Sequence, residues 1–172
     1  SIIAGVLAAV ASPANAAGET RNVLVLYATT RMLPANIPTD RGLRTALEQS
    51  AGRRVELYSE YLDIARFEGE TYVHAVAHFL NEKYALRPPD VIVVADNTSL
   101  AFLLRNRALI FPRAPVVCMG VGELFFRALP AVPSDIVGAL VEYDSIRTIE
   151  LAFRLQPRAT RLVLVTGTTE WD

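Results

Sequence analysis

The chain has 172 residues, too few for a multidomain enzyme or a complete receptor, and fits one domain with or without a targeting segment. Hydrophobic residues make up 52% and charged residues 20%, so a core can form and extended disorder is excluded. The 17 basic and 18 acidic residues give a net charge of −1. Without a basic surplus, nucleic acid is not expected as a partner.

The first segment of the chain predicts export. Residues 1–11 form an apolar run of signal-peptide length, shorter than the ~20 residues of a membrane span. Pro13 ends the run, and Ala-Asn-Ala at 14–16 supplies the small-x-small pattern that signal peptidase reads. We therefore expect residues 1–17 to be a signal peptide without its n-region, and the protein to be periplasmic.

Apolar runs alternate with helical patterns along the rest of the chain. Six of these runs predict strands: Asn22–Ala28, Arg54–Leu62, Asp90–Ala95, Pro115–Met119, Ile136–Tyr143 and Arg161–Val165. Five helices are predicted between them: from Thr39 or Asp40 to Ala51, Gly69–Leu86, Ser99–Ile110, Glu123–Leu129, and from Asp144 or Ser145 to the residue before Pro157.

This alternation predicts the fold class. Strands that are apolar on both faces and separated by helices indicate a parallel sheet covered on both sides. Right-handed crossovers then give an α/β fold with a doubly wound parallel sheet. In such a sheet, ligands bind beyond the carboxyl ends of the strands, at a topological switch point.

Polar or glycine residues follow four of the predicted strands. We predict that the ligand site contains Thr29, Thr30, Asp96, Asn97, Thr98, Gly120 and Tyr143. Hydroxyl, amide and helix N-terminal N–H groups would bind the ligand by hydrogen bonds, Gly120 would allow close approach of the backbone, and Tyr143 would supply an aromatic wall. Capping of strand ends and turn formation remain the alternative role for each of these residues.

The sequence contains neither a G-x-S-x-G elbow nor a phosphate-binding G-x-x-x-x-G-K-[ST] loop. Gly120 and Gly122 follow a strand, but Phe125 stands where the third glycine of a dinucleotide fingerprint would be. A tight strand-to-helix turn is therefore the preferred interpretation of these glycines. No cofactor is expected.

Three other groups of side chains are candidates for chemical sites. His74 and His78 have the i,i+4 spacing of metal ligands, but position 75 is Ala, and a solvated helix face is the preferred interpretation. Cys118, the only cysteine, lies in an apolar run and is expected to be a buried thiol. Glu60 and Asp63 form a charged strand end. We expect no catalytic residue and no metal site.

Four stretches of the chain carry a family resemblance. They are "RNVLVLYA" from Arg21, "ELYSEYLDIARFEGETY" from Glu56, "FLNEKYALRPPDVIVVADNTSLAFLLRNRALIFPRAPVVCMGVGE" from Phe79, and "LAFRLQPRATRLVLVTGTTEWD" from Leu151. In order and spacing they resemble the ABC-transporter-substrate-binding-protein-like family, which has a type I periplasmic binding fold. Within that family, they look most like the version attached to bacterial sensor histidine kinases. The resemblance spans nearly all of residues 20–172.

The resemblance implies two α/β lobes that close on a small ligand in the cleft between them, without catalysis. Residues 18–143 would form the first ligand-binding lobe. Residues 144–172 would form the hinge crossing and the start of a second lobe that is truncated here. The resemblance adds no cofactor and no metal.

Three functions remain open at this point. The first is the periplasmic input domain of a two-component sensor histidine kinase, coupled to a membrane-attached kinase module. The second is a free solute-binding protein that serves the permease of an ABC importer. The third is an exported enzyme on the same fold. In each case a small molecule of unidentified class is the ligand, and the sensor function also allows a dimer and a membrane tether through downstream sequence.

Overall fold

The computed structural model describes residues 20–49, 54–67, 69–142 and 144–165. The predicted signal peptide, the site residue Tyr143 and the predicted continuation of the second lobe over 166–172 lie outside these ranges. Within them the chain forms ten elements in order: β1 (Arg21–Tyr27), α1 (Asn36–Gln49), β2 (Val55–Tyr61), α2 (Glu70–Lys83), β3 (Val91–Val94), α3 (Asn97–Asn106), β4 (Val116–Gly122), α4 (Glu123–Ala128), β5 (Ile136–Val141) and α5 (Ser145–Leu155).

The five strands form one sheet in the order β2-β1-β3-β4-β5, and every neighbouring pair is parallel. The predicted α/β class and parallel sheet are therefore confirmed. From β1 the chain moves to one side to form β2, and then crosses back to add β3, β4 and β5 on the other side. This reversal makes the space between β1 and β3 the topological switch point.

Apolar side chains cover both faces of the central strands, as the continuous apolar runs predict. On one face, Leu24 and Leu26 of β1 pack in a cluster with Leu80 of α2 and with Leu100 and Leu103 of α3. On the other face, a smaller cluster contains Val23, Val25, Tyr27 and Val93, with Leu43 of α1 packed against it. The central strands β1 and β3 are thus fixed from both sides.

The strand β4 is longer than the sequence predicts. Gly120 and Gly122 were expected in a turn after the strand, but both belong to β4, whose pairing with β5 shifts register between Met119 and Val121. This β-bulge places one extra residue at Gly120, whose φ of +83° suits glycine. The glycines therefore continue the strand through an irregularity, and α4 begins directly after it at Glu123.

The helix α1 begins earlier than predicted. Its first residue is Asn36, so Thr39 and Asp40 lie inside the helix and do not cap it. Pro38 is compatible with this start because an N–H in the first helical turn has no intrahelical acceptor. The Asp40 carboxylate instead accepts hydrogen bonds from Arg44 in the same helix and from Ser59 of β2, and the sequence spacing does not reveal the second of these.

The described chain ends with an exposed helix and an irregular segment. α5 is capped by Asp144, whose carboxylate accepts the Arg147 N–H at 2.8 Å. Asp144 is one of the two capping residues that the sequence predicts. No residue of α5 is buried. The predicted strand Arg161–Val165 has no regular secondary structure, because no described strand lies beside it to supply hydrogen bonds.

Among the described residues, no helix combines the length and the apolar composition that crossing a bilayer requires.

Candidate functional site

The parallel sheet brings the carboxyl ends of β1, β3 and β4 to one edge. Thr29 and Thr30 follow β1, Asp96 and Asn97 follow β3, and Gly120 lies near the end of β4. β1 pairs with β3, and β3 pairs with β4, so the three strand ends are neighbours. Six of the seven predicted site residues are described, and all six lie along this carboxyl edge.

Asp96 joins β1 to α3. Its Oδ1 accepts the Ser99 N–H at 2.7 Å, and its Oδ2 accepts the Ala28 N–H at 3.1 Å. The Ser99 hydroxyl oxygen in turn accepts the Asp96 backbone N–H at 3.2 Å, which completes a capping box. Both carboxylate oxygens are therefore engaged within the protein, so Asp96 holds the edge together at the switch point.

Asn97 joins α3 to β4. Its side-chain Oδ1 accepts the Gly122 N–H at 2.8 Å. In the described chain, the side-chain amide nitrogen of Asn97 and the backbone N–H groups of Asn97 and Thr98 have no acceptor. Donors at the first turn of a helix carry the positive end of its dipole. This part of the edge can therefore donate several hydrogen bonds to oxygen atoms of a ligand.

The loop after β1 is fixed by a buried amide. Asn36, which is only 8% exposed, donates to the Thr29 Oγ1 at 3.0 Å and to the Thr30 carbonyl oxygen at 2.9 Å. The Thr29 hydroxyl oxygen is thus an acceptor here, and its own proton remains to be donated. Both threonines are half-buried. The loop is consequently held in place with its hydroxyl groups at the edge.

Gly120 has a role inside the protein. A Cβ atom at this position would lie 2.8 Å from the Ala95 carbonyl oxygen, which is closer than real Cβ contacts. The sequence predicts that glycine here allows a ligand to approach the backbone. The neighbour that comes close is instead the end of β3, so the packing of β3 against β4 already requires glycine.

A second polar feature at the same edge was not predicted. A pocket of about 430 Å³ lies between α1 and the carboxyl end of β2. Its charged lining residues are Arg31, Asp40, Arg41, Arg44 and Glu48, and Thr45 and Tyr61 also line it. Asn36 also lines it and connects it to the loop after β1. We call this feature the arginine pocket.

A network of hydrogen bonds supports one wall of the arginine pocket. Asp40 accepts from Arg44 Nε at 2.7 Å, from the Ser59 hydroxyl at 2.9 Å and from the Tyr27 hydroxyl at 3.5 Å. Burial alone would raise the pKa of Asp40, but the hydrogen bonds from Arg44 and Ser59 outweigh it and hold the pKa below its ordinary value. Asp40 is therefore a charged group that fixes Arg44.

Tyr61, which lines the pocket, stacks on the buried ring of Tyr27. The rings of Tyr27 and Tyr61 lie 5.0 Å apart with an interplanar angle of 12°. Burial and the charge of Asp40 raise the pKa of Tyr61, and the charge of Arg31 opposes that rise. Tyr61 is therefore a neutral phenol at neutral pH, with the guanidinium of Arg31 close to it.

The other candidates for a chemical site, Cys118 and the pair His74 and His78, lie outside the arginine pocket. Burial raises the pKa of the Cys118 thiol to about 11, so it is protonated at neutral pH. His74 and His78 are exposed on α2, and Glu70 beside them accepts from Arg105 at 2.6 Å. Among the described residues, no three His, Cys, Asp or Glu side chains form a group that could hold a metal ion.

The two carboxylates at the end of β2, Glu60 and Asp63, each contact other side chains of the protein. Glu60 accepts from Lys83 and from the Tyr84 hydroxyl, each at 2.5 Å. Asp63 forms a 3.4 Å ion pair with Arg66 on the protein surface. The two carboxylates therefore have separate structural partners.

Comparison of the chain with protein-family models, with curated proteins and with solved structures gives no match.

Proposed function

We propose that this chain contains the first lobe of an exported, two-lobe domain that binds a small molecule and acts as the periplasmic input domain of a sensor histidine kinase. In this proposal, residues 18–143 form the first lobe and residues 144–172 lead into the second. The type I periplasmic binding fold, the signal peptide and the periplasmic location belong to the same proposal.

The observation that carries the binding function is the composition of the carboxyl edge. The strand order puts a switch point between β1 and β3, which is where doubly wound sheets bind ligands. At that point, the amide of Asn97 and the N–H groups of Asn97 and Thr98 are donors without acceptors among the described residues. Polar groups on fixed backbone are what a small-molecule site needs.

The side chains at the edge favour binding without chemical conversion. Asp96, the one carboxylate among the predicted site residues, has both oxygens engaged by backbone N–H groups. A general base needs a free oxygen within reach of the substrate, and a nucleophile needs a base beside it. The arrangement therefore supports a binding domain, and the sensor role comes from the resemblance described above.

The experiment is a thermal-shift screen of the complete periplasmic region against metabolite panels, followed by calorimetry on each hit. Asn97→Ala removes the amide donor and leaves the Gly122 N–H unpaired, at a stability cost of about 1–2 kcal/mol. We expect this variant to weaken binding of the hit about tenfold, in line with the loss of one or two hydrogen bonds from a buried ligand.

The matched control is Asn106→Ala at the other end of α3. Asn106 is buried and donates to the Phe102 carbonyl oxygen at 2.9 Å, so its removal also costs a hydrogen bond. It lies nine residues from Asn97, roughly 13 Å along the helix axis. We expect an unchanged affinity in this variant. Equal affinities for both variants and the unmodified protein would contradict a site at this edge.

A second experiment separates the sensor from the free solute-binding protein. The full-length gene product is reconstituted in membranes and its autophosphorylation is measured with and without the calorimetric hit. Ligand-dependent phosphorylation supports the sensor. Ligand uptake through a permease, with no phosphorylation, would contradict the sensor function and support a free solute-binding protein of an ABC importer.

A further inference from the structure

The arginine pocket lies beside the predicted ligand site and continues its polar edge. Arg31 directly follows Thr30, and Asn36 lines the pocket while it donates to the loop after β1. Tyr61 is the last residue of β2, so the pocket opens at the same carboxyl edge as the ends of β1 and β3. The pocket and the predicted ligand site therefore lie at the same edge of the sheet.

The charge in the pocket is positive toward the carboxyl edge. Among the described residues, Arg31 and Arg41 have no carboxylate partner within ion-pair distance, whereas Arg44 is paired with Asp40. Glu48 is the other acid in the lining, and it also borders a second, smaller pocket beside Val55 at the start of β2. It lies eight residues beyond Asp40 on α1, roughly 12 Å along the helix axis.

Arg44 is fixed in place before any ligand arrives. Its Nε and Nη2 contact the Asp40 carboxylate, and Nη2 also donates to the Ser59 hydroxyl at 3.1 Å. The remaining Nη1 group has no hydrogen-bond partner in the part of the chain that is described. A guanidinium that is already oriented loses less conformational freedom on binding an anion.

We propose that the arginine pocket binds an oxyanion group, carboxylate or phosphate, so that the ligand of this domain is an acidic solute. Arg31 and Arg41 supply the charge, and Arg44 supplies its oriented Nη1 group. Guanidinium groups match both oxyanions because their N–H groups lie in one plane. This inference rests on the proposed function, since it assigns the chemical class of the same ligand.

The test is calorimetric titration of the full chain with inorganic phosphate and, separately, with succinate, at low ionic strength. The double variant Arg31→Gln with Arg41→Gln removes both unpaired charges and keeps long polar side chains. Arg87→Gln is the matched control, because Arg87 is exposed, precedes β3 at the opposite edge of the sheet and has no ion pair among the described residues.

We expect at least one probe to bind with 1:1 stoichiometry, and the double variant to weaken it about tenfold or more. Arg87→Gln should stay within about twofold of the unmodified protein. The tighter probe identifies the group as carboxylate or phosphate. Two results would contradict an oxyanion site in this pocket. One is that chloride at equal ionic strength abolishes the titration heats, and the other is that Arg87→Gln weakens binding as much as the double variant. Either result would indicate general electrostatic screening.

The outcome for the pocket can be separated from the outcome for the proposed function. A neutral hit whose affinity depends on Asn97 but not on the two arginines would overturn the oxyanion class and leave the binding domain intact. Binding of phosphate or succinate that depends on the arginines, while no metabolite depends on Asn97, would support the pocket and overturn the proposed site at the switch point.

Discussion

Gly120 lies so close to the carbonyl oxygen of Ala95 that a Cβ atom on Gly120 would be 2.8 Å from that oxygen. Gly120 also has a φ of +83°, which costs an L side chain about 1–2 kcal/mol. We therefore expect Gly120→Ala to lower the free energy of unfolding by about 2–4 kcal/mol, because strain and the close contact act together. Urea unfolding followed by circular dichroism measures this change.

Gly42 provides the control for Gly120, because it lies inside α1 and a Cβ atom there would meet nothing within 4 Å. Alanine is the better helix former at such a position. Gly42→Ala should raise the free energy of unfolding by about 0.5–1 kcal/mol. Similar destabilisation in both variants would contradict the specific contact with Ala95.

Asp96 connects the loop after β1 to α3, because its carboxylate accepts the backbone N–H groups of both Ala28 and Ser99. Asp96→Ala should destabilise the protein by about 2–3 kcal/mol, since it removes a helix cap and leaves the Ala28 N–H unpaired. Asp96→Asn retains one oxygen and should cost about half as much.

Asp144→Ala is the comparison for Asp96, because Asp144 also caps a helix but has a single backbone partner on an exposed element. We expect a loss below about 1 kcal/mol there. Chemical unfolding of Asp96→Ala, Asp96→Asn and Asp144→Ala gives the ranking. An Asp96→Ala loss no larger than that of Asp144→Ala would show that the contact with Ala28 adds nothing.

Two aspartates predict how stability depends on pH. The pKa of Asp40 is lowered from 3.8 because the hydrogen bonds from Arg44 and Ser59 outweigh burial, and that of Asp90 is lowered because the Asn22 N–H donates to its carboxylate. The unfolded chain therefore binds protons more readily than the folded chain. The stability from both groups is complete above their unfolded pKa values and is lost as pH falls through the folded values.

We expect the midpoint of urea unfolding to fall as pH is lowered from about 5 through 3.8 and below. The double variant Asp40→Asn with Asp90→Asn removes the titrating groups. Its free energy of unfolding should be lower at pH 7 and should depend less on pH in the acid range. An equally steep acid dependence in the double variant would assign the effect to other carboxylates.

The sequence predicts the parallel sheet well because each strand is a local apolar run. Five of the six predicted strands form, and the edge residues after β1 and β3 lie where the periodic pattern puts them. The sixth, Arg161–Val165, has an equally apolar pattern but no described strand beside it. A strand depends on a neighbour for its hydrogen bonds, and a local pattern cannot supply that information.

The roles of the edge residues could not be predicted in the same way. The sequence predicts Asp96 and Asn97 as ligand contacts but does not reveal that their side-chain oxygens accept from Ala28 and Gly122, which are 68 and 25 residues away in sequence. The arginine pocket was missed for a similar reason. Asp40 and Arg44 contact each other at a local i,i+4 spacing, but Ser59 of β2, which contacts both of them, is distant in sequence.

α5 presents an apolar stripe to solvent. Ile146 is 72% exposed and Phe153 is 40% exposed on this helix, and Ile149 lies between them at helical spacing. Leu162 and Leu164 in the irregular segment that follows are also exposed. Contiguous exposed apolar surface promotes association. We therefore expect the 172-residue chain to associate as its concentration rises.

Sedimentation velocity at increasing concentration measures this association. Ile146→Glu with Phe153→Glu should shift the chain toward monomer, because charge on the stripe prevents apolar contact between copies. Leu86→Glu is the control, since Leu86 is 97% exposed but lies after α2, away from the stripe. A chain that stays monomeric and unfolds in one cooperative step would contradict the lobe boundary near residue 143, because α5 and its continuation would then need no second lobe to cover them.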